Sequence, residues 1–256
     1  MEHFSPHITI AGLVFDIPNM LMITFASLLV FLLIVASTRN LTSGVPKGMQ
    51  NFLEWVIDFV RGIAGTFMPT EQAAKYVTLA LTLFLYIFIS NQLGVVFNFV
   101  TVHEHVSPGL GITQEMIEHA KKTGHEVEIG WFKSPTASPS ITFALALLVL
   151  IYSHYLGIKR DPGSYVKHYF KPYPALFIIH FMEEFLIKVL TLPLRLFGNI
   201  FAGEVLIGFL LSGFFAATAI PLVIWLGYSL FVGAVQAYIF TTLTLVYISQ
   251  KVVDDH

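Results

Sequence analysis

The sequence has 256 residues, of which 55% are hydrophobic and only 12% are Asp, Glu, Lys or Arg, about half the charged fraction of soluble domains. With a mean hydropathy of +0.74, this composition predicts an integral membrane protein. The net charge is −2, so the chain has no basic surface for nucleic acid. It contains no cysteine and no Gly-rich P-loop, which excludes thiolate chemistry and nucleotide binding of that kind. We expect neither a cofactor nor a metal ion.

The first predicted membrane span is residues 19–37, an apolar run long enough for one crossing. Arg39 and Lys47 follow this run, and no Lys or Arg precedes it. The positive-inside rule therefore places the N-terminus outside and the segment that follows the span in the cytoplasm.

Residues 48–68 have the pattern of an amphipathic helix. Aromatic residues recur at spacings of three and four, and charged residues occupy another face: Phe52, Trp55 and Phe59 against Glu54, Asp58 and Arg61. This pattern predicts a helix that lies in the membrane interface without crossing it. The alternative is a helix that packs on a soluble partner.

The middle of the chain holds two further predicted spans and one long loop. Residues 76–100 run outward, residues 101–138 form an external polar loop, and residues 139–158 return to the basic pair Lys159 and Arg160. Four histidines in the loop are irregularly spaced, which favours a solvated loop over a metal site: His103, His105, His119 and His125.

The last third of the chain is too long for upright spans. Residues 175–215 would reach ~60 Å as a helix, twice the ~30 Å of a hydrocarbon core. A turn is expected near residues 216–221, followed by a second helix over residues 221–250 and a cytoplasmic C-terminus. We therefore predict an all-α integral membrane fold in a single domain. It has about five membrane-embedded helices plus the interfacial helix, and its last two helices form a long, steeply tilted hairpin.

The first helix of this hairpin carries ionisable residues within the membrane. At about 100° per residue, five polar residues lie within about 60° of Arg195: His180, Glu184, Lys188, Thr191 and Asn199. Glu204 lies on the opposite face. A charge at the centre of a membrane helix costs about 2.5–3.5 kcal/mol on insertion scales. This stripe is therefore expected to face protein or water.

Arg195 is the charge that its own helix does not satisfy. Glu184 and Lys188 are four residues apart, so they either pair with each other or belong to an ion path. Arg195 has no acidic residue three or four positions away, and a guanidinium stays protonated. It needs an anion from another helix or another chain. Gln236, on the second helix, is its expected hydrogen-bond neighbour across the hairpin.

Two motifs in the hairpin resemble those of subunit a of F-type ATP synthases. The first is Leu194-Arg195-Leu196-Phe197-Gly198-Asn199-Ile200-Phe201-Ala202-Gly203-Glu204, and the second is Gly233-Ala234-Val235-Gln236-Ala237-Tyr238-Ile239-Phe240. The resemblance covers nearly the whole chain and includes Met49-Gln50-Asn51 and Ser134-Pro135-Thr136-Ala137-Ser138.

The resemblance implies a membrane stator of a bacterial plasma membrane, which lies against a rotating ring of c subunits and contacts the peripheral-stalk b subunits of the FoF1 complex. Such a subunit is not an enzyme on its own. It provides two offset half-channels for protons, one open to each side. The position of Arg195 is the family's essential arginine between the half-channels, and Asn199, Glu204 and Gln236 are its supporting polar residues.

The two half-channels are expected to use different residues. Glu204 faces away from the stripe of Arg195 and suits the outer half-channel, where Asn91, Ser229 and His154 are candidate lining residues. Ser229 departs from relatives that carry an ionisable residue there. Asn91 either lines the channel or bridges helices, and His154 is otherwise an interfacial histidine. Glu183, Glu184 and His180 are candidates for the inner half-channel by position.

A stand-alone intramembrane enzyme or secondary transporter is the alternative function. A protease would need a Ser–His pair, paired aspartates or a His-Glu-x-x-His sequence, and no such constellation is recognisable. A transporter would work as a purified chain, whereas Arg195 needs a partner carboxylate. The stator function is therefore favoured.

Overall fold

Helices form most of this protein. The computed structural model describes residues 3–10, 12–97, 100–103, 105, 112, 114–123, 127–168, 170, 173, 177–213 and 215–253. The helices in this part of the chain are α1 (Ile17–Thr38), α2 (Met49–Phe67), α3 (Thr70–Val96), α4 (Gln114–Thr123), α5 (Pro139–Arg160), α6 (Pro162–His168), α7 (Phe177–Met182), α8 (Lys188–Leu211) and α9 (Phe215–Val252).

Five helical segments in the described residues are long and apolar enough to cross a bilayer: Ile17–Thr38, Thr70–Val96, Pro139–Arg160, Phe177–Leu211 and Thr218–Val252. The fourth segment joins α7 to α8 through a single π-helical turn, Glu183–Ile187. The predicted fold class, an all-α integral membrane protein with about five membrane-embedded helices, is confirmed.

α1 begins at a well-defined N-terminal cap. Asp16 accepts a hydrogen bond from the backbone amide of Asn19 at 2.9 Å, and Pro18 lies in the first turn, where its missing N–H costs nothing. The hydroxyl of Ser5 donates to the other oxygen of Asp16 at 2.6 Å. These bonds attach the N-terminal segment directly to the start of the span.

α2 packs along one edge of its apolar face only. Leu53, Val56 and Val60 are buried, and the helix contacts α3 and α9. Trp55 remains 65% exposed and stacks on Phe59. This helix therefore keeps an exposed aromatic edge beside its packed edge, which is the composition typical of a helix at a membrane interface.

The long polar segment between α3 and α5 has secondary structure of its own, beyond the loop expected from sequence. Strands β1 (His3–Phe4), β4 (Val100–His103) and β5 (Val127–Gly130) form a sheet in the order β1-β5-β4, with β1 parallel and β4 antiparallel to β5. A hairpin of β2 (His7–Ile10) and β3 (Leu13–Asp16) precedes α1.

A small separate core stabilises this sheet. Ile112, Ile117, Val127 and Ile129 are buried together. These apolar residues are widely spaced in a polar stretch, so the sequence has no periodic pattern that predicts this core. Among the described residues no group of His, Asp or Glu is arranged to hold a metal ion. His125 lies outside the described residues.

The hairpin of α8 and α9 turns earlier than the sequence predicts. α8 ends at Leu211 and α9 begins at Phe215, so Pro221 lies inside α9 and not at the turn. Membrane helices tolerate an internal proline because neighbouring groups satisfy the freed carbonyl. Residues 175, 176 and 214 of the predicted hairpin lie outside the described residues.

The main core lies where α3, α5, α8 and α9 meet. Its buried side chains come from all four helices and include Ile87, Val149, Leu196, Ile200 and Phe240. This packing fixes α8 between α5 and α9 and sets which face of α8 is buried. The orientation of α8 in turn determines where its polar residues lie.

Candidate functional site

A cavity lies between α3, α8 and α9, near the turn of the hairpin. Its volume is about 120 Å³, and its lining includes Gly94, Asn199, Gly203, Glu204, Trp225 and Ser229. Most of the lining is apolar, but a cavity of this volume has room for several water molecules beside its few polar groups. The structure thus brings together three of the residues singled out from sequence: Asn199, Glu204 and Ser229.

Glu204 is anchored at the edge of this cavity. One of its carboxylate oxygens accepts a hydrogen bond from the backbone amide of Ser134 at 3.0 Å. The indole of Trp225 donates to the carbonyl of Gly203 at 3.3 Å, which holds α9 against α8 beside the carboxylate. The buried hydroxyl of Ser229 has no hydrogen-bond partner among the described residues. It is therefore available to a water molecule in the cavity.

A chain of buried hydrogen bonds extends from Ser134 to α9. The Ser134 hydroxyl donates to the carbonyl of Ser90 at 3.0 Å and lies 2.6 Å from that of Thr136. Thr136 donates to Asn91 Oδ1 at 2.5 Å, and the Asn91 amide donates to the carbonyl of Gly233 at 2.8 Å. Asn91 therefore bridges helices in this structure, and it is not among the residues that line the cavity.

Two glycines allow these segments to approach each other. A Cβ atom on Gly94 would lie 2.4 Å from the Cβ of Ser134, and one on Gly233 would lie 3.1 Å from the Cβ of Asn91. A Cβ–Cβ separation of 2.4 Å is well inside van der Waals contact. Gly94 is thus required for the contact that positions Ser134 beside Glu204.

Arg195 lies at an exposed position in the middle of α8, as do Thr191 and Asn199. Within the described residues its guanidinium forms no hydrogen bond and no ion pair. Gln236 is 5% exposed, and the hydrogen bond expected between Arg195 and Gln236 is not formed here. The described part of the chain therefore leaves a permanent cation exposed without an anionic partner.

A second polar cluster lies at the other end of the hairpin. Glu184 is buried, and one carboxylate oxygen accepts a hydrogen bond from Lys188 at 2.5 Å. The other oxygen accepts one from Lys251. Lys188 also donates to Gln250 at 3.0 Å, and its ammonium group lies 5.1 Å from the ring centre of Tyr247. The i,i+4 pair expected from sequence is present, and Lys251 adds a second cation from α9.

Lys251 was not recognised from sequence as part of this cluster. The signal available was weak: a lysine in the last turn of α9 lies near the start of α8 whenever the two helices are antiparallel. The sequence does not specify the tilt of the helices, and this tilt decides whether the end of α9 meets the start of the hairpin's first helix.

His154 lies in this second cluster and not in the outer lining expected from sequence. Its Nδ1 atom is 2.7 Å from the hydroxyl of Tyr165, and its ring stacks on Phe185 at a centroid distance of 5.0 Å. The reason is its place on α5, two turns from Arg160, whereas the cavity lies beside the Gly94 end of α3. His180 is half-buried and Glu183 is exposed on the first part of the same hairpin helix.

The described residues hold five membrane-length helices, a cavity with a carboxylate at its edge and an exposed cation on a membrane helix, and together these define a multi-pass membrane protein. A family model described as "ATP synthase A chain" matches residues 20–249. Curated relatives named "ATP synthase subunit a" come from Priestia megaterium at 45% identity, Anoxybacillus flavithermus at 44% and Bacillus subtilis at 40%, each match covering 100% of both chains.

The chain belongs to the ATP synthase subunit a family. This family supplies the proton-translocating subunit of the Fo membrane sector, so the chain is a multi-pass bacterial membrane protein of an FoF1 complex.

Proposed function

We propose that this chain is the stator subunit that couples proton flow to rotation of a c-subunit ring, with two offset half-channels separated by Arg195. The observation that carries the proposal is the exposed guanidinium of Arg195, which has no anionic partner in the described part of the chain. A carboxylate on a passing c subunit would supply that partner.

Arginine suits this position for two physical reasons. A nearby cation favours the charged form of a carboxyl group, so Arg195 holds the ring carboxylate ionised as it passes. A guanidinium does not lose its proton at accessible pH, so it cannot relay protons between the half-channels. Lysine would supply the charge but can deprotonate when it is buried.

The outer half-channel is assigned to the cavity beside Glu204. The carboxylate, the free hydroxyl of Ser229 and the amide of Asn199 give water several polar partners there. Asn91 holds α3 against α9, and Gln236, buried on α9, is assigned its supporting role from the family motif that it occupies. On this assignment His154 takes no part in the outer path.

The inner half-channel is assigned to the start of the hairpin, where Glu183, Glu184 and His180 lie. Basic residues that follow α1 and end α5 support a cytoplasmic location for this side, with the N-terminus outside and the C-terminus inside. On this proposal the chain itself carries out no ATP chemistry. Its partners are the c-ring, the peripheral-stalk b subunits and the bilayer.

The decisive experiment is Arg195→Ala in the complete FoF1 complex, assayed in inverted membrane vesicles. ATP-driven acidification is expected to be lost, while ATP hydrolysis by the catalytic sector persists. Arg61→Ala is the matched control, because Arg61 forms an exposed pair with Asp58 on α2 at 3.0 Å and lies outside the proposed path. Normal pumping by Arg195→Ala would exclude the proposal. Proton transport by the purified chain alone would favour a stand-alone transporter.

A further inference from the structure

Two adjacent glutamates at the start of the hairpin have opposite environments. Glu184 is 7% exposed, and each of its carboxylate oxygens accepts a hydrogen bond from a lysine. Glu183 is exposed and forms no hydrogen bond or ion pair with any described residue. Ideal helical spacing predicts the reverse arrangement, with Glu184 rather than Glu183 on the face of Arg195.

The π-helical turn at Glu183–Ile187 accounts for the difference. In an uninterrupted α-helix, Glu183 would lie about 120° from Arg195, twelve residues later, and Glu184 about 20° from it. A π turn holds one residue more than an α turn, so residues at the start of the turn are rotated by up to about 100° relative to those after it. This rotation brings Glu183 to within about 20° of Arg195, and it moves Glu184 away from that face, towards α9.

The hydrogen bonds of Glu184 connect two helices, and the bond between Glu184 and Lys251 is called the tie below. Protonation of Glu184 would weaken its bonds to two ammonium groups, because Lys188 binds one carboxylate oxygen and Lys251 the other. Lys188 belongs to α8, one turn away, so its bond stays within the helix. Lys251 belongs to the last turn of α9, so its bond joins the end of α9 to the start of the segment that carries Arg195.

The surroundings of Lys251 hold its ammonium group in place. Its side chain is 9% exposed, and the ammonium lies 5.4 Å from the ring centre of Tyr165, close enough for a cation–π contact. Tyr165 in turn contacts His154. Contacts from α5 and α6, as well as from α9, thus stabilise the position of Lys251.

We propose that the two glutamates have separate roles in the inner half-channel, an inference that rests on the proposed function. Glu183, on the exposed face of Arg195, exchanges protons between the cytoplasm and the ring carboxylate. Glu184 is a positioning residue, which with Lys251 fixes the rotation of the hairpin helix so that Glu183 and Arg195 share one face.

The role of Glu183 is tested by Glu183→Gln and Glu183→Asp in the complete complex. ATP-driven acidification is expected to fall about tenfold or more in Glu183→Gln, because a positioned proton-transfer group contributes that much or more to a rate. Glu183→Asp, which retains the carboxylate, is expected to recover most of the rate. Equal rates in Glu183→Gln and the unmodified complex would overturn the assignment.

The role of Glu184 is tested by the two lysines that bind it. Lys251→Met removes the tie between helices and is expected to lower pumping several-fold, whereas Lys188→Met leaves that tie in place and is expected to have a small effect. Lys251→Arg keeps a cation at the tie and is expected to retain most of the pumping. Equal losses in Lys251→Met and Lys188→Met, or equal losses in Lys251→Met and Lys251→Arg, would overturn the positioning role.

Two controls, the assembly of each variant and the result for Arg195→Ala, distinguish the ways in which these experiments can fail. Each variant is first checked for incorporation into the complex by subunit stoichiometry, so a variant that does not fold is replaced by its conservative partner, Glu183→Asp or Lys251→Arg. If Arg195→Ala pumps normally, the proposed function fails. If Arg195→Ala is inactive while Glu183→Gln pumps normally, only the present inference fails.

Discussion

Glu204 and Ser134 are joined by a hydrogen bond of 3.0 Å in which the Ser134 amide donates to the carboxylate. The two residues are 70 positions apart, so the bond fixes α8 against the segment that precedes α5. The same serine binds α3 through its hydroxyl. The carboxylate proposed for the outer half-channel is therefore held by a backbone amide, which does not titrate, and its other oxygen forms no hydrogen bond with the described residues.

Glu204→Gln is expected to slow proton flux about tenfold or more, because the amide keeps the size of the side chain but cannot carry a proton. Glu204→His is expected to keep part of the flux, since imidazole can exchange protons. The measurement is the rate of ATP-driven acidification of inverted vesicles. Glu71→Gln, in the exposed first turn of α3, is the control. Indistinguishable rates in all four proteins would remove Glu204 from the path.

Gly94→Ala is expected to destabilise the protein by about 1–3 kcal/mol, the usual cost of overpacking, because the new Cβ would lie 2.4 Å from that of Ser134. The displaced Ser134 would also release Glu204, so flux is expected to fall. Thermal unfolding in detergent measures the first effect and vesicle acidification the second. Gly62→Ala, where a Cβ meets no atom within 4 Å, should leave both unchanged or raise stability slightly. The same response in both variants would contradict the steric argument.

Asn91→Ala is expected to cost about 1–3 kcal/mol, the penalty for leaving buried polar groups unsatisfied. The substitution removes the partners of Thr136 and of the Gly233 carbonyl. Ser229→Ala is the comparison, because the Ser229 hydroxyl is buried but forms no hydrogen bond within the described residues. Its midpoint of thermal unfolding is expected to stay close to that of the unmodified protein. A larger loss in Ser229→Ala than in Asn91→Ala would show that the hydrogen-bond chain does not stabilise the fold.

Thr191→Cys is expected to form a disulfide with a cysteine on the outer helix of the c-ring, because Thr191 is exposed on the face of Arg195. Leu192→Cys should not, since Leu192 is 2% exposed and packs in the main core. The chain has no cysteine of its own, so each variant carries a single thiol. The crosslink is measured by non-reducing gel electrophoresis of membranes. A crosslink from Leu192→Cys alone would place the ring on another face of α8.

The membrane class, the polar stripe of α8 and the isolation of Arg195 follow from the sequence because they depend on hydropathy and on helical spacing. Both are local properties, and a bilayer enforces them strongly: a chain with 12% charged residues must place each membrane charge near a partner or water. The opposite orientation of Glu204 follows from the same spacing, and the structure places that carboxylate at a cavity edge.

Predictions from helical spacing fail where a helix departs from ideal α-helical geometry. An uninterrupted α-helix would place Glu184 in the stripe of Arg195. The π turn at Glu183–Ile187 instead rotates the residues at its start relative to the rest of the helix. The position of Pro221 inside α9 likewise differs from the turn expected near residues 216–221. In a packed membrane bundle, neighbouring helices can satisfy the backbone groups that such irregularities release.

The sequence alone determined which segments meet the bilayer and which side chain lacks a partner, since both depend on neighbours along the chain. Only the tertiary structure decided that Lys251 binds Glu184, that His154 lies beside Tyr165, and that Ser134 holds Glu204. Two of these contacts, those of Lys251 and Ser134, join residues that are 67 and 70 positions apart. Such contacts form because side-chain packing fixes the tilt and rotation of each helix, and no local pattern of residues specifies those two quantities.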